Sequence, residues 1–152
     1  MSPHQDVLTD DANELVLRER LARQQFYICF TERTERDGDP MANLRPKMAE
    51  HLAWIAALEH EGIAFAAGPF RDKDDPAYWN GDGMFILRVE SREQAAKVAD
   101  TCPFHKSGLR TYRIVPWWMN EGCIQLTVRL TERRIELGRP NAPQRAFSAE
   151  ES

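Results

Sequence analysis

The spacing of apolar and polar positions changes along the chain. From Gln25 onward, Phe26, Ile28 and Phe30 alternate with Tyr27, Cys29 and Thr31, the two-residue period of a half-buried strand. A polar loop over 32–44 follows. Met48, Leu52, Ile55 and Leu58 then recur at helical spacing across 46–61. Pro46 suits the first turn of that helix, where its missing N–H has no partner to lose, and Gly62 suits its end. Residues 63–70 read as a buried strand closing in Gly68-Pro69, and 84–90 as another. Ser91 with Gln94 predicts a capping box for a second helix running to about Asp100. A strand through Tyr112 and Ile114 comes next. After the turn Asn120-Glu121-Gly122, Ile124, Leu126, Val128 and Leu130 alternate with Gln125, Thr127 and Arg129 as a last strand.

This order, β-α-β-β-α-β plus one extra C-terminal strand, predicts an α+β ferredoxin-like domain. Both helices then cover one face of the sheet and leave the other open. The second faces, with residues such as Tyr27, Phe85 and Leu87, are too apolar for water, so two sheets are expected to pack face to face in a homodimer. Residues 1–24 read as an arm built on a helix over 10–24, with Glu14/Arg18 and Glu19/Arg23 as i,i+4 pairs. The domain proper is expected at 25–130, and 131–152 as a largely irregular polar tail.

Composition narrows the function class. Lys plus Arg number 20 and Asp plus Glu 24 in 152 residues, a net charge of −4 that gives no general attraction to nucleic acid or anionic membranes. No apolar run approaches a membrane span, and the first residues lack a basic-then-apolar leader. Three cysteines, none in a CxxC pair, do not make a disulfide framework and fit a reducing cytoplasm. Metal-ligand spacings and phosphate-cradling glycine loops are missing, so neither a metal nor a cofactor is expected.

The motifs then become recognisable. His51-Leu52-Ala53, Glu61-Gly62 and Ala67-Gly68-Pro69, followed by Cys102-Pro103-Phe104-His105, Gly108-Leu109, Tyr112 and Pro116-Trp117, resemble the signature of the YCII-related family. The resemblance covers residues 25–130. It implies a ferredoxin-like fold paired into a dimeric α/β barrel, similar to muconolactone isomerase, with a pocket between sheet and helices. Better-understood relatives include a dehydrochlorinase of a chlorinated hydroxyhydroquinone. It also implies a His–Asp dyad. The His falls on His51, whereas the Asp position before Pro-Phe is here Cys102.

Read from the residues, His51 is either a satisfied core side chain or a general acid/base aimed into a pocket. Cys102 is a small buried hydrophobe, a thiol orienting His51, or an activated thiolate. Asp100 is the alternative acid beside it. His105, Lys106 and Arg110 are candidates for holding a substrate anion or phenolate, against the plainer reading as solvated side chains. Phe104, Gly68 and Pro69 are the remaining expected pocket residues, with Tyr78 and Trp79 as loop aromatics closing over a flat ligand or serving a subunit contact. The acidic residues Asp72, Asp74, Asp75 and Asp82 lack the alternation of a calcium loop and read as solvated. The expected protein is a cofactor-independent lyase or isomerase acting on a compact cyclic or phenolic small molecule. The competing expectation is a non-catalytic small-molecule- or partner-binding dimer whose dyad has lost its Asp.

Overall fold

Strand β1 (Gln24–Arg33) is the hub of the main sheet. In the computed structural model, which describes residues 11–71, 74 and 79–138, it is flanked on both sides. β3 (Gly83–Leu87) pairs with it antiparallel from Tyr27↔Leu87 to Thr31↔Gly83, and β4 (Arg110–Met119) along all ten residues. β2 (Ala64–Pro69) adds to the free side of β3, with an irregularity between Ala64 and Ala66. The order β2-β3-β1-β4, antiparallel throughout, is that of the expected ferredoxin-like unit. β4 is an edge strand, which is why Pro116 is tolerated within it: only its β1 side needs ladder hydrogen bonds.

Helix α2 (Met48–His60) connects β1 to β2, and α3 (Arg92–Asp100) connects β3 to β4. Pro46 sits in a short 3₁₀ turn, Arg45–Lys47, that leads into α2. At the other end Gly62 takes φ +75°, a left-handed conformation that costs glycine little. The capping signal at α3 is realised: Ser91 Oγ accepts from the Gln94 N–H at 3.1 Å, and Gln94 Oε1 accepts from the Glu90 N–H at 2.9 Å. A single-turn helix α4 (Pro103–Lys106) follows α3 and carries Phe104, which is fully buried.

The core corrects one expectation. Tyr27, Phe85 and Leu87, expected on the outward face, instead point toward the helices. They pack with Cys29 and Ile114 against Trp54 and Ile55 of α2 and Ala95, Val98 and Ala99 of α3. Alternation then puts Phe26, Ile28, Phe30, Met84, Ile86, Val115 and Trp117 on the other face. Phe26 is tilted against Phe65 and Trp117 there, and the Arg88 guanidinium lies over both phenylalanine rings. Both residue sets are apolar, so the period alone could not say which one the helices cover. The small Ala95 and Ala99 decide it by letting α3 approach the sheet closely.

The chain ends depart further from expectation. The compact unit holding the four-stranded sheet spans Ala22–Met119, and the remaining described residues belong to a second unit. In it, α1 (Asp11–Glu19) is shorter than the 10–24 expected and carries the Glu14–Arg18 ion pair at 2.7 Å, whereas Arg23 lies beyond its end at φ +49°. The extra strand exists as β5 (Gln125–Arg129). Its partner is β6 (Arg134–Gly138), inside the stretch expected to be irregular, and the two form a separate two-stranded sheet. Leu126↔Leu137 and Val128↔Ile135 are cross-strand pairs, which explains the apolar period of 124–130 without a place in the main sheet. The later tail, from residue 139, lies outside the described residues.

At Gly83 there is no room for a side chain against β2: a Cβ there would lie 2.7 Å from the Gly68 carbonyl oxygen. Gly83→Ala is therefore expected to destabilise the domain by about 1–3 kcal/mol. A urea midpoint that does not move would show that the two strands part without cost.

Candidate active site

Strands β1 to β4, helix α2 and the loop carrying Trp79 converge on one cavity of about 340 Å³ between the helices and the sheet. Its walls are mostly apolar: Met48, Leu52 and Ile55 from α2, Ala67, Gly68 and Pro69 from β2, and Gly83 and Phe85 from β3. The polar groups facing it are few. They are His51, Thr31 and Arg110, beside the indole of Trp79.

His51 stands one turn into α2, on the face shared with Met48 and Ile55, as helical spacing requires. Its ring stacks on Phe104 at 4.3 Å between centroids and on Trp54 at 5.7 Å. Nδ1 lies 3.5 Å from Cys102 Sγ, leaving Nε2 as the ring nitrogen available to the cavity. Burial holds the His51 pKa down at about 4, aided by the positive charge of Arg110 and by His105. At neutral pH His51 is an uncharged imidazole.

Cys102 precedes a proline, which drives it out of the helical region to φ −61°, ψ 128° and makes it the first residue outside α4. It is buried against Leu44 and Phe104. Burial pushes its thiol pKa up, more than the N–H groups of His105 and Phe104 and the charge of Arg110 pull it down. The side chain is thus a neutral thiol touching His51, which sets aside the thiolate reading. A neutral S–H can donate to Nδ1 or accept from it, so it does not impose the tautomer that a carboxylate would.

Asp100 does not reach His51. As the last residue of α3 it turns toward β4, where it accepts a 2.5 Å hydrogen bond from the Tyr112 hydroxyl. Burial and this pairing raise the Tyr112 pKa to about 12. Asp100, Tyr112, His105 and Lys106 line a second hollow, which Arg110 also borders. His105 likewise does not face the main cavity. Its Nδ1–H donates to the Ala99 carbonyl at 2.7 Å, and its Nε2 meets Thr31 Oγ1 at 2.9 Å, so it acts on the cavity only through Thr31. Phe104 does not line the cavity either but forms the floor beneath His51. Gly68, Pro69 and Trp79 do line it. Tyr78 lies outside the described residues, as do Asp72 and Asp75.

Arg110, expected either to hold a substrate anion or to be solvated, is 4% exposed, which removes the solvated reading. Its guanidinium lies over Trp79 at 5.0 Å and over Phe104 at 4.7 Å, and Nη2 donates to the Gly81 carbonyl at 2.5 Å. Nε has no hydrogen-bond partner. Burial lowers its pKa to about 10, which still leaves it charged at neutral pH. The pattern Arg110, Tyr112, Ile114 at two-residue spacing carried the signal, because it puts Arg110 on the inner face of β4. Asp82 is also not a solvated loop acid. It accepts from the Arg33 N–H at 2.8 Å and pairs with Arg36 at 2.7 Å, while its carbonyl accepts from Trp79 Nε1 at 2.6 Å. These bonds hold the 79–83 loop against the end of β1. Among the described residues, no three His, Cys, Asp or Glu side chains are placed to hold a metal, and no helix is long and apolar enough to cross a membrane. Cys29, Cys102 and Cys123 are free.

A ferredoxin-like sheet with His51 in a cavity under its helices defines the class, and comparison with known proteins places the chain within it. The protein belongs to the YCII-related family, whose domain model matches residues 25–118. No curated protein matches the chain. Among solved structures, it resembles the 5-chloro-2-hydroxyhydroquinone dehydrochlorinase of Burkholderia phenoliruptrix AC1100, determined in complex with 2,5-dihydroxybenzoquinone. The two share 20% identity and a TM-score of 0.50 over 60% of this chain and 92% of that one, a likeness of fold.

The low pKa of His51 has a consequence for stability. Between pH 6.5, its ordinary value, and about 4, the unfolded chain binds a proton that the folded chain does not. Stability is therefore fully present above pH 6.5 and falls on acidification through that window, by ~1–3 kcal/mol for a partly buried group. His51→Gln is expected to flatten this part of the pH–stability curve, measured by urea unfolding at pH 7, 5.5 and 4.5. The slope left over would belong to His105, whose pKa burial also lowers. A slope that the substitution leaves untouched contradicts the assignment.

Proposed function

We propose that the protein is a small cofactor-independent enzyme of the lyase or isomerase type, moving protons on a compact cyclic or phenolic compound with His51 as the acid/base. The observation that carries this reading is the placement of His51. It is a neutral imidazole with one ring nitrogen occupied by Cys102 and the other free to serve an apolar cavity of about 340 Å³, which has room for a substituted ring. Proton transfer of this kind needs a positioned base and an oriented substrate, each of which lowers the barrier by several kcal/mol. The dehydrochlorinase of like fold, solved with a dihydroxybenzoquinone, supports a hydroxylated ring as the substrate class.

For Nε2 to act as base, Nδ1 must carry the proton and direct it to Cys102 Sγ. His51 then takes a proton from the ring compound and becomes an imidazolium. Arg110 and the low polarity of the site disfavour that cation, so the proton is passed on quickly. Returning it to another ring position completes an isomerisation, and giving it up as a leaving group departs completes an elimination. Cys102 positions the imidazole but does not offset its charge. That difference from a carboxylate favours the competing reading, a binding protein with impaired chemistry. The aromatic outer face of the sheet, with Phe26, Phe30 and Trp117, supports a homodimer, and three free thiols support a cytoplasmic setting.

The test follows proton exchange, which is measurable whatever the product. Hydroxylated and chlorinated ring compounds incubated with the protein in D₂O are expected to exchange a ring proton. His51→Gln should slow exchange about 10²–10⁴-fold with little change in binding. The rate should hold down to pH 5 and fall as His51 protonates near pH 4. Exchange that survives the substitution removes His51 from the chemistry; ring compounds that bind without exchanging favour the binding protein. Cys102→Asp places a carboxylate against Nδ1 and is expected to raise the His51 pKa, read by NMR titration of the ring protons.

A further inference from the structure

Building on the reading of His51 as base, we infer that the cavity recognises a ring compound carrying an ionised oxygen next to a hydroxyl group, with Arg110 binding the oxyanion and Thr31 accepting from the hydroxyl.

Among the described residues, nothing in the site fully answers the charge of the buried Arg110 cation. Of its five N–H donors one is used there, by the Gly81 carbonyl, and Nε is buried without a partner among them. Asp82, the nearby carboxylate, already has both oxygens engaged, Oδ1 by the Arg33 N–H and Oδ2 by Arg36. Arg33, cross-strand from Arg110, adds further positive charge. Trp79 and Phe104 lie within cation–π distance of the guanidinium, and an arriving anion is recognised by its N–H edge, where the donors are. An oxyanion bound there replaces the water that the folded chain has stripped from the guanidinium.

Thr31 supplies the complementary signal. A carbonyl only accepts, so the 2.7 Å contact to Ala99 fixes the His105 proton on Nδ1. Nε2 of the neutral ring is then a lone pair, and the Thr31 hydroxyl must donate to it across 2.9 Å. That uses the only proton Thr31 has. Toward the cavity it lines, Thr31 Oγ1 is therefore an acceptor, asking for a donor on the ligand. Thr31 pairs with Tyr112 and Arg33 with Arg110 across β1 and β4, so Thr31 and Arg110 are diagonal neighbours on the same inner face. Such neighbours lie about 7–8 Å apart at the backbone, near enough for one ring to bridge the two side chains. Met48, Leu52, Ile55 and Phe85 leave the rest of the ring in apolar surroundings.

Four coloured or ultraviolet-absorbing probes separate these elements at neutral pH: 4-nitrocatechol, 4-nitrophenol, 4-nitroanisole and 4-nitrobenzoate, with binding followed by titration calorimetry and the shift of the nitrophenolate band. The intact protein is expected to prefer 4-nitrocatechol, with 4-nitroanisole about tenfold or more weaker. Arg110→Met, which keeps an apolar chain between Trp79 and Phe104, should weaken 4-nitrocatechol about tenfold or more while changing 4-nitroanisole less than about twofold. Arg110→Lys, which keeps the charge, should restore part of the loss, and Thr31→Val should erase the preference for 4-nitrocatechol over 4-nitrophenol. The inference is overturned if the neutral anisole binds as well as the catechol, if 4-nitrobenzoate binds tightest, if none of the probes binds, or if Arg110→Met affects all alike with its near-ultraviolet dichroism intact. Because this is a binding preference, it is read in the intact protein without turnover. A preference found there with no proton exchange would leave this inference standing and remove the catalytic reading, and the opposite pattern would do the reverse.

Discussion

The site depends on one chain of ring contacts. The Arg110 guanidinium lies over Trp79 and over Phe104, Phe104 stacks on His51, and His51 stacks on Trp54. These residues come from the 79–82 loop, β4, α4 and α2, so the contacts tie together the segments around the cavity other than β1, β2 and β3. Each aromatic contact contributes ~0.5–1.5 kcal/mol beyond its area, and a desolvated cation–π contact about 2. Stripping water from a guanidinium costs several kcal/mol, so these contacts reduce the cost of burying Arg110 without removing it. The cation and the neutral base thus face one cavity because Phe104 separates them and supports both.

Charge explains how that base is tuned. With a thiol at position 102, no anion among the described residues faces His51, and burial and Arg110 both favour the uncharged ring. The same surroundings keep the thiol protonated, since the low polarity that disfavours an imidazolium also disfavours a thiolate. Replacing a carboxylate by a thiol leaves the contact but changes the charge it can stabilise. The polar part of the site thereby rests on the single cation at Arg110.

Much of the fold could be read along the chain because its elements report locally. The alternation at 26–31, the helical spacing of Met48, Leu52, Ile55 and Leu58, and the Ser91–Gln94 cap each reflect contacts between residues near in sequence. Pairings distant in sequence were harder. The strand at 125–129 was legible, but its partner at 134–138 was not, because Arg134, Glu136 and Gly138 interrupt the apolar signal of Ile135 and Leu137. Of the expected site residues, His51, Gly68, Pro69 and Trp79 meet at the cavity, whereas Asp100 and His105 turn to another hollow. Position next to Cys102 in the chain says nothing of direction, because the backbone turns between the end of α3 and Pro103.

The sequence alone determined the order of strands and helices, the helix face on which His51 stands, and the absence of a carboxylate before Pro-Phe. These follow from local periodicity and residue identity. Only the tertiary structure decided which sheet face the helices cover, that Arg110 is buried, and that Thr31 is left as an acceptor. Each of those depends on which groups from distant segments exclude water or take a proton. A pattern of apolar and polar residues records that a side chain tends inward, but its chemistry there is set by neighbours that the chain brings to it only on folding.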